Sequence, residues 1–409
     1  MRTNTSSTNR FVWVALLFAI AIGFLAAMVV LRGQPATSVP LFLASATAGL
    51  IGLAVALRWT DAATMIGTTG AMLVLVEMAM PMLSPAQSDE AVFDPESAYR
   101  SGGYFAEGAH GFQPTAGVFD SSKLAPDGSS VYEVTYTIGP DRKRATPAPA
   151  GEALPETPVE ELHFFGGSFT FGEGLEDDET LPFHVRAARP GSVAVNHGVH
   201  GYGLHQAVAI KASLPAAGAP RVNILQTAPW HMQRTACYPE YSIGTPRFVV
   251  NGDRSGANTP FALRDGWCGI NLPGWAPQSA KKLVDTLLQR SNIVRLARPH
   301  VMLSPDEGFD LYVALVRELD RLSRAAGERL IVAFILAEDE IFAGSTWSND
   351  RVLEEFRTAG LEVVDVSLVP PGEVDLDYVV HELDHHPSGL ANRIRAEAIV
   401  ERIGVGPTN

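Results

Sequence analysis

The chain has 409 residues and a formal net charge of −14, with 31 basic against 45 acidic side chains. That balance argues against nucleic acid as a partner, because binding phosphate needs a basic patch; acidity by itself only keeps a domain soluble. The length suggests one large domain, or two smaller ones with additions.

Three apolar stretches open the chain: Phe11 to Leu31, Val39 to Leu57 and Ala62 to Leu83. Each is long enough to cross a hydrocarbon core of ~30 Å, which takes about 20 helical residues. Glu77 is their one charged residue. Soluble helices usually keep a polar face, which these lack, so residues 1–83 are predicted to be three transmembrane helices. Arg2 and Arg10 precede the first span and Arg58 sits in the second turn, with Arg32 after the first span. The positive-inside rule then puts the N-terminus in the cytoplasm. An odd number of spans sends the remainder outside it. The expected location is a multi-pass protein of the inner or plasma membrane with an extracytoplasmic, periplasmic C-terminal domain. The membrane is thus the first expected partner.

Residues 84–160 read as a linker with a small β-rich segment. "VYEVTYTI" (131–138) alternates apolar and polar residues, as a half-buried strand does. The turn "GPDRK" and a Pro/Ala-rich connector follow. From residue 161 to 409 strands and helices alternate. "ELHFFG", "SVAVNHG", "RVNILQTAP", "RLIVAFILA" and "LEVVDVS" read as strands; "TLPFHVRAARPG", "LHQAVAIKASLP", "AKKLVDTLLQRSNIVRLA", "FDLYVALVRELDRLSRAAG", "RVLEEFRTAG" and "PSGLANRIRAEAIVERIG" read as helices. This alternation predicts an α/β fold with a mainly parallel sheet and helices on both faces. The stretch 231–277 is too long for an ordinary connection. It holds both cysteines, Cys237 and Cys268. In an exported domain a disulfide between them is expected, with two unpaired thiols as the alternative.

In a parallel sheet, active groups sit at the carboxyl ends of strands. Ser168 stands there, in "HFFGGSFTFGEG". A serine hydroxyl needs a base, and the base needs an orienting carboxylate. "HELDHHPSG" offers both: Asp384 lies two positions before His386, close enough to fix the imidazole tautomer. A turn serine before a helix is the bland alternative for Ser168, and a surface loop for the Asp–His pair. The glycines of "NHGVHGYG" (196–203) let backbone N–H groups approach a substrate, and Gly201 is the nominated oxyanion donor beside the Ser168 N–H. The histidines His197, His200, His205, His381 and His385 invite a metal reading, but the glycines among the first three argue against one helix face holding them. No metal and no cofactor is expected.

The order of these blocks resembles the SGNH (GDSL-like) hydrolases: a G-x-S loop, an N-x-G-x-x-G loop and a late D-x-H-P loop, spanning about residues 161–405. The resemblance implies a flavodoxin-like three-layer α/β/α sandwich. It implies Ser168 as nucleophile, Gly201 as the second-block glycine, and Asp384 with His386 completing the triad. Known members deacylate lipids, esters and O-acetylated sugars, and some transfer acetyl groups to polysaccharides. The implied activity is a membrane-anchored serine esterase acting on O-acyl esters of envelope glycans, or on related esters, beside a polysaccharide machinery. Acyl transfer, or glycan binding without catalysis on the same fold, are the alternatives. Two departures stand out. The first block reads G-G-S in place of G-D-S. The third lacks its Asn, the strand ending in "TAPWHMQR"; His231 lies nearest the expected place, either as a replacement oxyanion donor or as a structural histidine.

Overall fold

The computed structural model describes residues 104–237 and 303–405, the backbone of 246–251 and 262–267, and a few positions between 44 and 74. Two compact units divide the chain: Met1–Ala91 with Leu272–Val301, and Val92–Asn271 with Met302–Asn409. The predicted membrane spans fall almost wholly outside the described residues. Among those described, no helix is long and apolar enough to cross a membrane.

The second unit opens with two antiparallel hairpins: β1 (Phe105–Gly108) with β2 (Gly111–Pro114), then β3 (Gly117–Leu124) with β4 (Ser130–Ile138). The α/β part follows in chain order. It begins with β5 (Glu160–Phe165), α1 (Ser168–Phe171), α2 (Leu181–Ala187), β6 (Ser192–Asn196), α3 (Leu204–Ser213), β7 (Arg221–Thr227) and α4 (His231–Thr235). The hairpin β8 (Pro246–Asn251) and β9 (Ala262–Trp267) lies within the long stretch that sequence leaves irregular. Then come α5 (Pro305–Ala325), β10 (Arg329–Phe334), α6 (Asn349–Thr358), β11 (Glu362–Asp365), the short antiparallel pair β12 (Val379–His381) and β13 (Asp384–Pro387), and α7 (Gly389–Val405).

Five strands form one parallel sheet in the order β11-β10-β7-β5-β6. Counted by appearance this is the flavodoxin-like order 2-1-3-4-5, whose switch point lies between the first and third strands, β5 and β7. Alternate side chains along each strand enter different cores, as the two-residue period requires. Leu162 and Phe164 of β5, Val222 and Ile224 of β7, and Ile331 and Ala333 of β10 pack under α2 and α7. Phe165, Leu225, Leu330, Val332 and Phe334 face the other way, toward α3, α5 and α6. The helices start where capping chemistry allows. Ser304 accepts from Glu307 N at 3.3 Å while the Glu307 carboxylate accepts from Ser304 N at 2.9 Å, a reciprocal cap that fixes the first turn of α5.

The hairpin β3–β4 joins this sandwich through Arg144, which bridges Ile138 on one side and Asn196, the end of β6, on the other. Its guanidinium is fully buried. Nε donates to Asp177 Oδ1 at 3.0 Å, Nη1 to the carbonyls of Phe171 (3.1 Å) and Gly172, and Nη2 to that of Leu175 at 2.5 Å. The ring of Tyr136 lies 4.4 Å and that of Phe171 4.7 Å from the guanidinium carbon, adding cation–π attraction. Carbonyls at the end of a short helix have no intrahelical partner, and Arg144 supplies one. Truncation would leave those carbonyls and Asp177 facing a hole. Arg144→Ala is therefore expected to lower unfolding free energy by about 3–5 kcal/mol. Arg144→Lys, a single point charge, should recover only part of it. Urea denaturation of the three proteins checks both.

Candidate active site

The site lies at the carboxyl ends of β5 and β7, over the switch point. β5 ends at Phe165, and after Gly166–Gly167 the chain turns into α1, whose first residue is Ser168. Ser168 is 7% exposed. The loop 196–203 packs directly on this turn. Asn196 Nδ2 donates to Thr170 O at 2.9 Å, and its Oδ1 accepts from Gly198 N at 2.8 Å. A Cβ at Gly198 would stand 2.5 Å from Phe171 N, so only glycine permits the approach. Gly201 adopts φ +71°, the left-handed conformation that glycine reaches without cost.

His386 arrives from the other end of the chain. Its Nε2 lies 2.8 Å from Ser168 Oγ, and its Nδ1 lies 2.5 Å from Asp384 Oδ1. Asp384 Oδ1 also accepts from His386 N at 3.0 Å, and Oδ2 accepts from Lys123 Nζ at 2.8 Å. The structure thus brings Ser168, His386 and Asp384 into one hydrogen-bonded line. The Asp–His segment is not a plain loop: β13 pairs with β12, and this hairpin carries the imidazole to the serine.

His231, the first residue of α4, is buried, and burial, helped by the nearby charge of Arg234, pushes its pKa well below the ordinary value. Its Nδ1 lies 3.0 Å from Thr227 Oγ1, which lies 3.2 Å from Tyr312 OH. Its Nε2 faces the serine turn, 3.6 Å from where a Gly167 Cβ would stand. The G-G-S departure has a steric reason here. A Cβ at Gly167 would lie 2.5 Å from Arg234 Nη1 and 3.1 Å from Tyr202 O; the guanidinium, donating to Tyr202 O at 2.8 Å, takes that room. Cys237 is disulfide-bonded; the chain's other cysteine, Cys268, lies outside the described residues.

Two charged residues of the site escape a sequence reading. Lys123 comes from β3, in a segment whose pattern suggests no link to a late Asp–His pair. Glu173 sits two glycine-flanked steps beyond α1; its Oε2 is 3.3 Å from His386 Nε2 and 2.7 Å from His200 Nδ1. Among the described residues, Glu173, Asp384 and His386 are the one group with donor atoms close enough to hold a metal ion. Every one of them already pairs with a neighbour inside the site, Ser168, Lys123 or His200, so the group reads as an ion-pair network. Burial raises the Glu173 carboxyl, but His386 and His200 outweigh it and hold it down at about 2. Burial likewise raises Asp384, and its bonds to His386 and Lys123 more than reverse that, leaving it well below the usual range.

No family model matches the chain. No curated protein matches it either. Among solved structures, it is similar to a member of the lipolytic protein G-D-S-L family from Veillonella parvula DSM 2008, at 11% identity and a TM-score of 0.33, covering 59% of this chain and 97% of that one. A putative lipolytic protein of the G-D-S-L family from Desulfitobacterium hafniense DCB-2 matches at 11% identity and a TM-score of 0.32, over 60% of this chain and 99% of that one.

Depressed carboxylates stabilise the fold above their unfolded pKa and stop doing so as pH falls through the folded one. For Glu173, whose folded value is about 2, that window runs down from the ordinary carboxyl range near 4.3. The urea midpoint is expected to fall steadily across it, by the equivalent of roughly 2–3 kcal/mol. In Asp384→Asn the same titration should be shallower, since one of the two depressed groups is gone.

Proposed function

We propose that the chain is a serine ester hydrolase. The observation that carries this reading is the Ser168–His386–Asp384 line, with contacts of 2.8 and 2.5 Å on the two ring nitrogens, set at the switch point of a parallel sheet. Ser168 attacks an acyl carbonyl; His386 Nε2 takes the hydroxyl proton and returns it to the departing alcohol. Asp384 holds Nδ1–H and stabilises the imidazolium that forms. Water then attacks the acyl-enzyme by the reverse path.

The oxyanion needs donors near Ser168. As the first residue of α1, Ser168 has an N–H with no partner inside the helix. Gly201 N–H is the second assigned donor. His231 is the third: this role requires Tyr312 to donate to Thr227 and Thr227 to Nδ1, which leaves the ring proton on Nε2, directed at the turn. That arrangement substitutes for the missing Asn. Phe169, 5.3 Å from the His386 ring centre, and Trp230, 5.8 Å from Phe169, supply an apolar wall for the acyl group. The resemblance noted in the sequence, with the predicted membrane spans, supports an O-acylated envelope glycan as substrate and a membrane-anchored enzyme facing away from the cytoplasm.

A fluorophosphonate probe is expected to label the wild-type protein and not Ser168→Ala, read by intact-protein mass spectrometry. Hydrolysis of p-nitrophenyl acetate should fall by about 10⁴-fold in Asp384→Asn and by roughly 10²–10³-fold in kcat for His231→Ala. Undiminished turnover by folded Ser168→Ala would overturn the proposal. Acetate release from an O-acetylated polysaccharide, lost in the same variant, checks the substrate class.

A further inference from the structure

A catalytic imidazole ordinarily meets one carboxylate, on the nitrogen away from the nucleophile. Here His386 stands between two. Asp384 holds Nδ1, and Glu173 Oε2 approaches Nε2 at 3.3 Å, the nitrogen that Ser168 Oγ meets at 2.8 Å. Glu173 is anchored from behind. His200 Nδ1 lies 2.7 Å from the same Oε2, in a fully buried ring packed among Tyr104, Phe105, Tyr136 and Phe171. Next to Glu173, the N–H of Gly174 donates to Tyr136 OH at 2.9 Å. The carboxylate is therefore placed by the fold.

We infer that Glu173 is an inhibitory positioning residue for the proposed hydrolase: its carboxylate pairs with a proton on His386 Nε2 and keeps that nitrogen from accepting the proton of Ser168. The inference rests on the serine-hydrolase reading and adds to it a control by pH. An imidazolium has no lone pair for the serine, so only the neutral ring activates Ser168. Each anion beside the ring favours the imidazolium.

The groups facing the pair come from several elements. Asp384 on β13 reinforces Glu173. Lys123 on β3 opposes it at His386. At His200 burial works downward and Glu173 upward; His386 and Arg144, after β4, add to burial, and the ring ends below its ordinary value. Tyr132 and Tyr136 on β4 and Tyr104 before β1 are pushed up by burial and stay uncharged. At His386 burial works downward, and Glu173 with Asp384 overcomes it, raising the ring above its ordinary value. The acid limb of the reaction then lies above pH ~6.5, and activity rises with pH through it. Removing the Glu173 charge moves the limb down.

The test uses the full-length protein and Glu173→Gln, which keeps an acceptor for His200 without the charge. Fluorophosphonate labelling rates are measured from pH 5 to 9, with thermal melts confirming that both proteins are folded. Relative to its own plateau, Glu173→Gln should label faster than wild type at pH 6, by up to about tenfold for each pH unit by which the acid limb moves down. Glu173→Asp should fall between the two. An unchanged acid limb in folded Glu173→Gln overturns the inference, as does a wild-type profile that is flat down to pH 6. A second measurement needs no turnover. The His386 ring, assigned by comparison with His386→Ala, is titrated by ¹⁵N–¹H NMR in the wild type and in Glu173→Gln. A midpoint that falls in Glu173→Gln supports the inference, because Asp384 is present in both proteins, and a midpoint that does not fall overturns it. If the wild type labels at no pH, the hydrolase reading fails, while the NMR comparison still decides whether Glu173 holds the imidazolium.

Discussion

The guanidinium of Arg144 is the constraint on which the site depends. A buried positive charge is tolerable only when its donors are satisfied, and this one spends them on the carbonyls of Phe171, Gly172 and Leu175 and on Asp177. Those acceptors belong to the segment that leaves Ser168. Fixing them fixes the exit path of α1, and with it the position of both Ser168 and Glu173. Beyond this four-residue helix Gly172 N and Glu173 N bond back to Ser168 O, Tyr136 and His200 hold Gly174 and Glu173, and Arg144 ties down the carbonyls.

Sheet topology explains the other half of the geometry. β5 and β7 are neighbours, yet their following connections leave toward opposite faces, and a crevice opens between them. Ser168 follows one strand and His231 the other. The imidazole has a longer way to come. After β11, at the far edge of the sheet, the chain crosses back and delivers His386 from the β12–β13 hairpin. A paired strand holds a side-chain direction better than a free loop, which suits a residue that must meet a hydroxyl at one angle.

Strand and helix alternation was legible because each face of the sheet is buried: Leu162 and Phe164 had to be apolar for one layer, Phe165 for the other. Ser168, Asp384 and His386, which the structure brings into one hydrogen-bonded line, stood out by local spacing alone: two glycines before the serine and one residue between the aspartate and the histidine. Glu173, Lys123 and Arg144 did not. Each acts across more than twenty-five positions of chain, on partners such as Phe171, His200 and Asp384, and no local period records such a contact. The hairpin β12–β13 was hidden for a related reason: "VVHELDHHP" has too few alternating apolar residues to read as two strands. The Gly at 167 made sense only once Arg234 was seen occupying the neighbouring space. Apart from a few positions between 44 and 74, the predicted membrane spans lie outside the described residues, as does Cys268.

The β3–β4 hairpin, which precedes the α/β layers and at first resembles an ornament, supplies Lys123 to the far oxygen of Asp384, and the turn beyond it supplies Arg144. Trimming the protein back to its sandwich would remove the counter-ion of Asp384 and the clamp on the segment after Ser168 together. The smallest autonomous version of this machine thus begins well upstream of its first central strand, and any transplant of the fold onto another scaffold has to carry that preface with it.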